Sequence, residues 1–310
     1  MSTPQFGQTT TGDEVAAHFK DRLEGLTILV TGVAHTGIGG STALALAHGG
    51  AGTLILAARS EARAAETIAA VHSANPATNV IFLPLDLASH ASVRAAAETV
   101  MENPAISKID VLVNNAGVMA NLHGPILTED GVEQSFAVCH IGHWLLTSLL
   151  LPKLLAAPEP RVVNVSSTGH AYFDGVFDDY SFSVTAYDAH VAYGRAKAAN
   201  LIFTKGLVEK YGDKGLKSYG VQPGCAPYNP EELVEGFQAA VKAGLEFGSQ
   251  PKTLEQGCST TLVAILDPGL PNGAYLDDCQ LKQTYKTVAD PGLVDKLWAV
   301  SEKIVGQKFA

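Results

Sequence analysis

Five short, almost unbroken apolar runs, at 26–31, 53–57, 79–83, 109–113 and 161–165, alternate with segments of helical periodicity at 38–48, 60–73, 89–101 and 130–155. A strand that is apolar at every position must be covered on both faces, and the intervening helical segments supply that cover. Strict alternation of this kind predicts an α/β fold: a doubly wound parallel sheet with right-handed crossovers and helices on both faces. Ligands of such sheets bind in a crevice outside the carboxyl ends of the strands. The second half continues the theme with a helix at 190–211, a strand at 216–221, helices at 231–247 and 253–266 and a late strand at 273–276. No repeat or Gly/Pro-rich linker divides the chain, so 25–310 is read as a single domain and the polar stretch 1–24 as a flexible N-terminal extension.

A chain that is 46% hydrophobic and 17% charged has the composition of a globular enzyme and excludes a disordered or coiled-coil protein. The net charge of −10, without a run of like charge, argues against nucleic acid and against an anionic membrane surface as partners. Cys139, Cys225, Cys258 and Cys279 are far apart, without the spacing of a zinc or redox pair, and point to a reducing, cytoplasmic location. The stretch 141–157 is interrupted by His143, Thr147, Ser148, Pro152 and Lys153 and reads as too short and too polar to span a bilayer. Read alone, His140 and His143 on the same helical segment look like metal ligands.

After the first strand comes Thr31-Gly32-Val33-Ala34-His35-Thr36-Gly37-Ile38-Gly39, leading directly into a helix. Glycines there admit close approach of a pyrophosphate, and the first helical turn presents unpaired N–H groups to it. A tight β-to-α turn without a ligand would look similar, so position matters more than pattern. The second strand ends at Arg59-Ser60, where an acidic side chain would bind the ribose hydroxyls of NAD and an arginine suits the extra phosphate of NADP. Asp86-Leu87 and Asn114-Asn115-Ala116-Gly117 follow the third and fourth strands at the same edge.

Tyr193 and Lys197 stand four apart on a helix, so the ammonium lies near the phenol and favours phenolate. Such a pair arises readily by chance, and Ser166-Ser167 at the end of the fifth strand is what gives it meaning. In this order, Thr31-Gly32…Gly37-Ile38-Gly39, Asn114-Asn115-Ala116-Gly117, Asn164-Val165-Ser166-Ser167, Tyr193…Lys197 and Pro223-Gly224 resemble the short-chain dehydrogenase/reductase superfamily over about residues 25–285. The stretches Gln134–His143 and Glu255–Cys279 resemble the subgroup of the retinol dehydrogenases and the WW-domain oxidoreductase.

The resemblance implies a Rossmann fold, a small-molecule carbonyl or alcohol substrate, and an NADP(H) coenzyme, with NAD(H) second. By the same resemblance His140 and His143 are structural, and no metal is expected. It implies Tyr193 as general acid, Lys197 as the group that lowers its pKa and holds the nicotinamide ribose, and Ser167 as the group that polarises the carbonyl. Gly32, Thr36, Gly37, Ile38 and Gly39 would cradle the pyrophosphate, and Arg59 and Ser60 would face the 2′-phosphate. Asp86 and Leu87 would flank the adenine, Asn115, Ala116 and Gly117 the adenosine ribose, and Pro223 and Gly224 the nicotinamide. Apolar residues on more than one face of the helices at 130–155 and 190–211 fit either the homodimer contact of the superfamily or core packing.

Four features depart from the family pattern or add to it. Four residues, not three, separate Gly32 from Gly37, so the turn must bulge or re-route. Cys139 occupies the place of the family's relay asparagine, and a thiol is a poor substitute for an amide. Tyr228 stands where a threonine commonly binds the carboxamide. The segment 168–190 holds Tyr172, Phe173, Phe177, Tyr180, Phe182 and Tyr187, which form either an outlying core or the wall of an apolar pocket. The expected activity is NADP(H)-dependent carbonyl–alcohol interconversion on a bulky apolar substrate, with 168–190 as substrate loop and 225–250, which contains Phe237 and Phe247, as lid. A repurposed fold catalysing a non-redox step and a non-catalytic nucleotide-binding protein are the alternatives. Cys225 reads as a small apolar filler or a reactive thiol.

Overall fold

A computed structural model describes residues 6–224 and 251–309. The expected lid at 225–250, the helix at 231–247, Cys225 and Tyr228 lie outside the described residues. The strands are β1 (Thr27–Thr31), β2 (Thr53–Ala58), β3 (Asn79–Pro84), β4 (Val111–Asn114), β5 (Arg161–Val165), β6 (Lys217–Gln222), β7 (Tyr275–Asp277) and β8 (Gln280–Lys282). They form one sheet in the order β3-β2-β1-β4-β5-β6-β7-β8. All neighbours are parallel except β7 and β8. The order reverses between β1 and β4, so the crevice of a doubly wound sheet opens there.

Alternate strand residues divide between two cores. Ile28 and Val30 of β1 pack with α1 (Gly12–His18), α2 (Ile38–His48), α3 (Glu61–Ala74) and α7 (Ser259–Leu266). Leu29 points the other way, toward α4 (His90–Glu102), α5 (Gln134–Leu155), α6 (Ala189–Tyr211) and α8 (Gly292–Val305). Period-2 alternation explains why the strands read as unbroken apolar runs: each face has its own layer of helices.

Four elements differ from the sequence reading. The segment expected to be a flexible extension is structured from residue 6: Thr11 and Glu14 form a capping box that starts α1, and Val15, Ala16 and Leu23 are buried. Its apolar residues are too few to read as a core helix, yet they fill the surface left by Gly49, where a Cβ would lie 2.3 Å from Leu23 Cδ1. The antiparallel β8 and the C-terminal α8 were not foreseen. The helix expected to be too short to span a bilayer runs for 22 residues and is long and apolar enough by composition, but it is largely buried as the core of this fold.

Helix α8 supplies the second apolar surface for α5 and α6. Trp298 meets Trp144 of α5 edge-on at 5.3 Å and Phe203 of α6 at 6.0 Å, and Phe309 meets Trp144 at 5.3 Å. The pattern that suggested a dimer contact is therefore accounted for inside one chain. Trp298→Ala should cost about 3–5 kcal/mol in urea unfolding, the range for truncating a large buried aromatic. A loss below about 1 kcal/mol would mean that α8 does not hold this face.

Candidate active site

The carboxyl ends of β1 and β4 are tied together by one hydroxyl. Thr31 Oγ1 accepts the backbone N–H groups of Asn115 and Ala116, each at 3.0 Å, and lies 2.8 Å from His143 Nε2. His143 Nδ1 lies 3.0 Å from the Cys139 carbonyl, which can only accept, so Nδ1 carries the proton and Nε2 accepts from Thr31. Burial pushes the His143 pKa down to about 4, and the nearby Lys197 acts in the same direction against the Cys139 carbonyl bond. The imidazole is thus a neutral, fixed tautomer. His140, one turn earlier, is pushed down to about 3, by burial and then by His143, and its Nε2 pairs with Ser301 Oγ of α8. Both histidines serve the fold, and no cluster of metal-ligating side chains occurs among the described residues.

The long glycine turn is accommodated by one extra bend. Gly37 N–H donates to the Ala34 carbonyl at 3.0 Å, which leaves His35 and Thr36 exposed at the tip. The bend brings the Ala34 carbonyl over α2, where a Cβ on Gly40 would lie 2.4 Å from its oxygen. Gly40 was missed in the sequence, though its place directly after Gly39 was the available signal. Gly32, at φ +73°, could not carry a Cβ without meeting Ala116 Cα at 2.8 Å, and one on Gly39 would lie 2.4 Å from Asn115 Nδ2. Thr67 of α3 donates to the Val33 carbonyl at 2.8 Å and fixes the turn from below. Ile38, Gly39 and Gly40 open α2 without a side-chain cap on Gly37, a geometry that fits a pyrophosphate.

Around this turn, the other residues expected to meet the coenzyme differ in their surroundings. Arg59 and Ser60 are exposed where β2 meets α3. Asp86 accepts the N–H of Ala88 at 3.0 Å, and Leu87 is buried against α5, where a Cβ on Gly142 would strike its carbonyl. The Asn115 amide donates to the Thr31 carbonyl at 2.7 Å and the Gly32 carbonyl at 3.3 Å, so the side chain braces the turn. Ala116 and Gly117 keep their backbone at the crevice edge.

The two serines after β5 have different surroundings. Ser166 is buried and donates to the Lys197 carbonyl at 2.8 Å, which pins the strand to α6. Ser167 is partly exposed, and its Oγ accepts Gly169 N–H at 3.1 Å, leaving its own proton free. A Cβ on Gly169 would lie 2.9 Å from two ring carbons of Tyr193 and 3.4 Å from Ser167 Oγ. One on Gly194 would strike the Tyr172 backbone at 2.8 Å. These two glycines, not singled out from the sequence, let the turn Thr168–Tyr172 approach α6 and bring Ser167 to the tyrosine.

Lys197 Nζ lies 5.6 Å from the Tyr193 ring centroid and donates to the Val165 carbonyl at 3.1 Å, beside Asn200 Nδ2 on the same oxygen at 3.0 Å. Burial acts to lower the Lys197 pKa, but the neighbouring Tyr193 and Cys139 outweigh it and hold the ammonium above its ordinary range. Cys139 is buried in a π turn over Ala137–Ile141, its Sγ 3.6 Å from the Val118 carbonyl. A Cβ on Gly117 would sit 3.3 Å from Lys197 Nζ and 3.4 Å from Cys139 Sγ, so the thiol occupies the same small space as the ammonium. On the far side, His170 Nδ1 donates to the Ser167 carbonyl and its Nε2 accepts Tyr285 N–H at 3.3 Å.

The aromatic segment resolves mainly as an outlying core. Phe173 and Phe177 are buried and stacked at 4.6 Å, and Phe177 stacks on Phe136 of α5 at 6.1 Å. Arg195 ties the segment to α6 through Asp174, at 2.6 and 3.0 Å, and through its contact with the Phe182 ring at 4.3 Å. Tyr172 remains exposed, as do Met119 and Leu122 beyond Gly117.

A family model described as short chain dehydrogenase matches residues 26–227. Retinol dehydrogenase 13 from Homo sapiens is 34% identical over 300 residues, spanning 93% of this chain and 86% of that protein. The chloroplastic short-chain dehydrogenase TIC 32 B from Brassica napus is 34% identical over 312 residues, spanning 97% and 94%. The crystal structure of an uncharacterised protein from Mycobacterium paratuberculosis superposes with a TM-score of 0.72 at 30% identity, spanning 93% and 96%.

The neutral histidines give the fold an acid limit. In the unfolded chain they bind protons below about pH 6.5, while in the folded chain they stay neutral to about pH 4 for His143 and about pH 3 for His140. The unfolded state therefore binds more protons in that window, and stability falls as the pH drops through it. Urea unfolding should lose on the order of 2–4 kcal/mol between pH 7 and pH 5. The His143 ring resonances should not titrate above about pH 5, and a titration centred near 6.5 would contradict the assignment.

Proposed function

The chain belongs to the short-chain dehydrogenase family, and on that premise we propose that it is an NADP(H)-dependent oxidoreductase interconverting a carbonyl and an alcohol on an apolar substrate. The coarser statement, a carbonyl–alcohol oxidoreductase of the retinol dehydrogenase type, follows from the family and its relatives. The observation that carries the finer one is the convergence of Ser167, Tyr193 and Lys197 on Gly169 and Gly117.

In the reductive direction a bound nicotinamide coenzyme would supply the hydride that reduces the carbonyl carbon. Tyr193 donates its phenolic proton to the carbonyl oxygen, and the buried Lys197 ammonium stabilises the phenolate that remains. Ser167, whose oxygen accepts Gly169 N–H, keeps its proton and gives a hydrogen bond to the same carbonyl oxygen, which orients and polarises it. Gly32, Gly37, Ile38 and Gly39 with Gly40 would hold the pyrophosphate, with Thr36 at the tip of the turn. Arg59, exposed at the β2 end, would pair with the 2′-phosphate.

The aromatic segment gives a bulky substrate less support than its ring content suggested, because Phe173 and Phe177 are buried in the core and Tyr180 packs against it. Exposed Met119, Leu122 and Tyr172, on the stretches that flank Gly117 and Ser167, support an apolar one instead. Cys139 in the place of an amide favours a second reading, a fold that binds coenzyme but catalyses a non-redox step. The thiols of Cys139, Cys258 and Cys279, all buried and unpaired, support a reducing compartment such as the cytoplasm.

Fluorescence titration should show NADPH binding at least about tenfold tighter than NADH, a difference of about 1.4 kcal/mol that Arg59→Ala should largely remove. Equal affinity, or none, would sink the coenzyme assignment. Across a panel of apolar ketones, Tyr193→Phe should abolish turnover without weakening NADPH binding. Gly169→Ala, by pushing on the ring, should lower kcat at least about tenfold, the loss expected when a reacting group is displaced by a fraction of an ångström to an ångström. Coenzyme binding with no ketone or alcohol turned over would favour the non-redox reading.

A further inference from the structure

The β7–β8 hairpin carries the stretch Tyr275-Leu276-Asp277-Asp278-Cys279, which the proposed chemistry leaves unused. Asp278 and Cys279, at its tip, have φ values of 49° and 62°, a left-handed pair that glycine or asparagine ordinarily occupies. The strained tip is held from α7 and its first residue: Cys279 N–H donates to Thr260 Oγ1 at 3.1 Å, and Cys279 Sγ lies 3.1 Å from Ser259 Oγ. This conformation aims the Asp278 carboxylate inward.

Its partner is Lys252, whose side chain is 1% exposed and whose Nζ lies 2.6 Å from Asp278 Oδ1. A buried ammonium cannot be solvated, so the carboxylate is what allows it to stay there. The lysine stem runs across Gly224, at φ +85°, where a Cβ would lie 2.7 Å from Lys252 Cδ and 2.9 Å from Cε. The same hairpin is registered on β6, with Asp277 level with Gln222, two residues before Gly224. Hairpin tip, buried ion pair and left-handed glycine therefore close on the Pro223–Gly224 turn from one side.

We propose that Lys252, held by Asp278, is a positioning residue that fixes the Pro223–Gly224 turn against the nicotinamide end of the coenzyme. This role rests on the functional reading above for what the turn holds, while the latch itself does not. Gly224 provides the surface, the lysine stem provides the support, and the ion pair keeps the stem extended. Substitutions at either charged residue release the turn without touching Ser167, Tyr193 or the carbonyl they bind.

The test is Lys252→Met, which keeps the stem and removes the charge, beside Lys252→Arg, Asp278→Asn and the Lys252→Met/Asp278→Asn double variant. Hydrogen–deuterium exchange over residues 219–224 should accelerate at least tenfold in Lys252→Met and return to within threefold of wild type in Lys252→Arg. The NADPH dissociation constant should rise about tenfold in Lys252→Met, with kcat at saturating coenzyme within threefold of wild type, and the double variant should be no worse than twofold beyond either single one. Unchanged exchange in folded Lys252→Met overturns the latch, whatever the wild type binds. Faster exchange with an unchanged dissociation constant overturns the positioning role. A wild-type protein that binds neither NADPH nor NADH overturns the functional reading and the coenzyme role, and leaves the exchange result to decide the latch alone.

Discussion

Thr31 Oγ1 holds three elements that no stretch of local sequence connects: the end of β1, the backbone after β4 and, through His143, helix α5. A single hydroxyl accepting two N–H groups and donating once has its polar capacity filled, which is what its complete burial requires. The Asn115 amide closes the same junction from above by gripping the Thr31 and Gly32 carbonyls. The glycine turn, the crevice edge and the helix that bears Cys139 therefore share one joint. Distortion of that joint would be felt at the glycine turn and at Lys197 together.

The polar interior continues along the same layer. Asn114 donates to Asn164 Oδ1 at 2.9 Å and Thr147 Oγ1 at 3.0 Å, and Asn164 donates to Thr204 Oγ1 at 3.0 Å. These bonds lie across the registered pair of β4 and β5 and reach α5 and α6. A buried network of this kind is stabilising only when its members are paired, so it fixes one arrangement of helices over the sheet. That fixity is what lets Lys197 and Asn200 share the Val165 carbonyl. The thiol of Cys139, bound weakly to Val118, is the softest member of this layer, and Asn114 Oδ1 is buried in it without a hydrogen-bond partner.

Most element positions were legible because burial leaves a period in the sequence: β5 and α2 occupy the stretches that the pattern indicates. The order of the glycine turn, Ser166-Ser167, Tyr193 and Lys197 was legible because each lies at a strand end or on one helix face. Other features were less so. The helix α1 has only a few buried residues, and its place depends on Gly49 and Cys258, far away in the chain. The aromatic segment had two readings because ring content does not tell which way rings point. Its inward packing depends on Phe136 and Arg195.

What the sequence by itself determined was the doubly wound sheet, the edge at which a ligand meets it and the residue types gathered there. Periodicity and local spacing record which side chains face inward and which share a helix face, and those are properties of neighbours. Only the tertiary structure decided that Ser166 is tied to the Lys197 carbonyl while Ser167 keeps a free proton, that Gly40 makes room for the longer turn, and that Lys252 lies on Gly224 beneath Asp278. Each of those depends on strand register and crossover geometry, which bring residues tens to hundreds of positions apart into contact and leave no period along the chain.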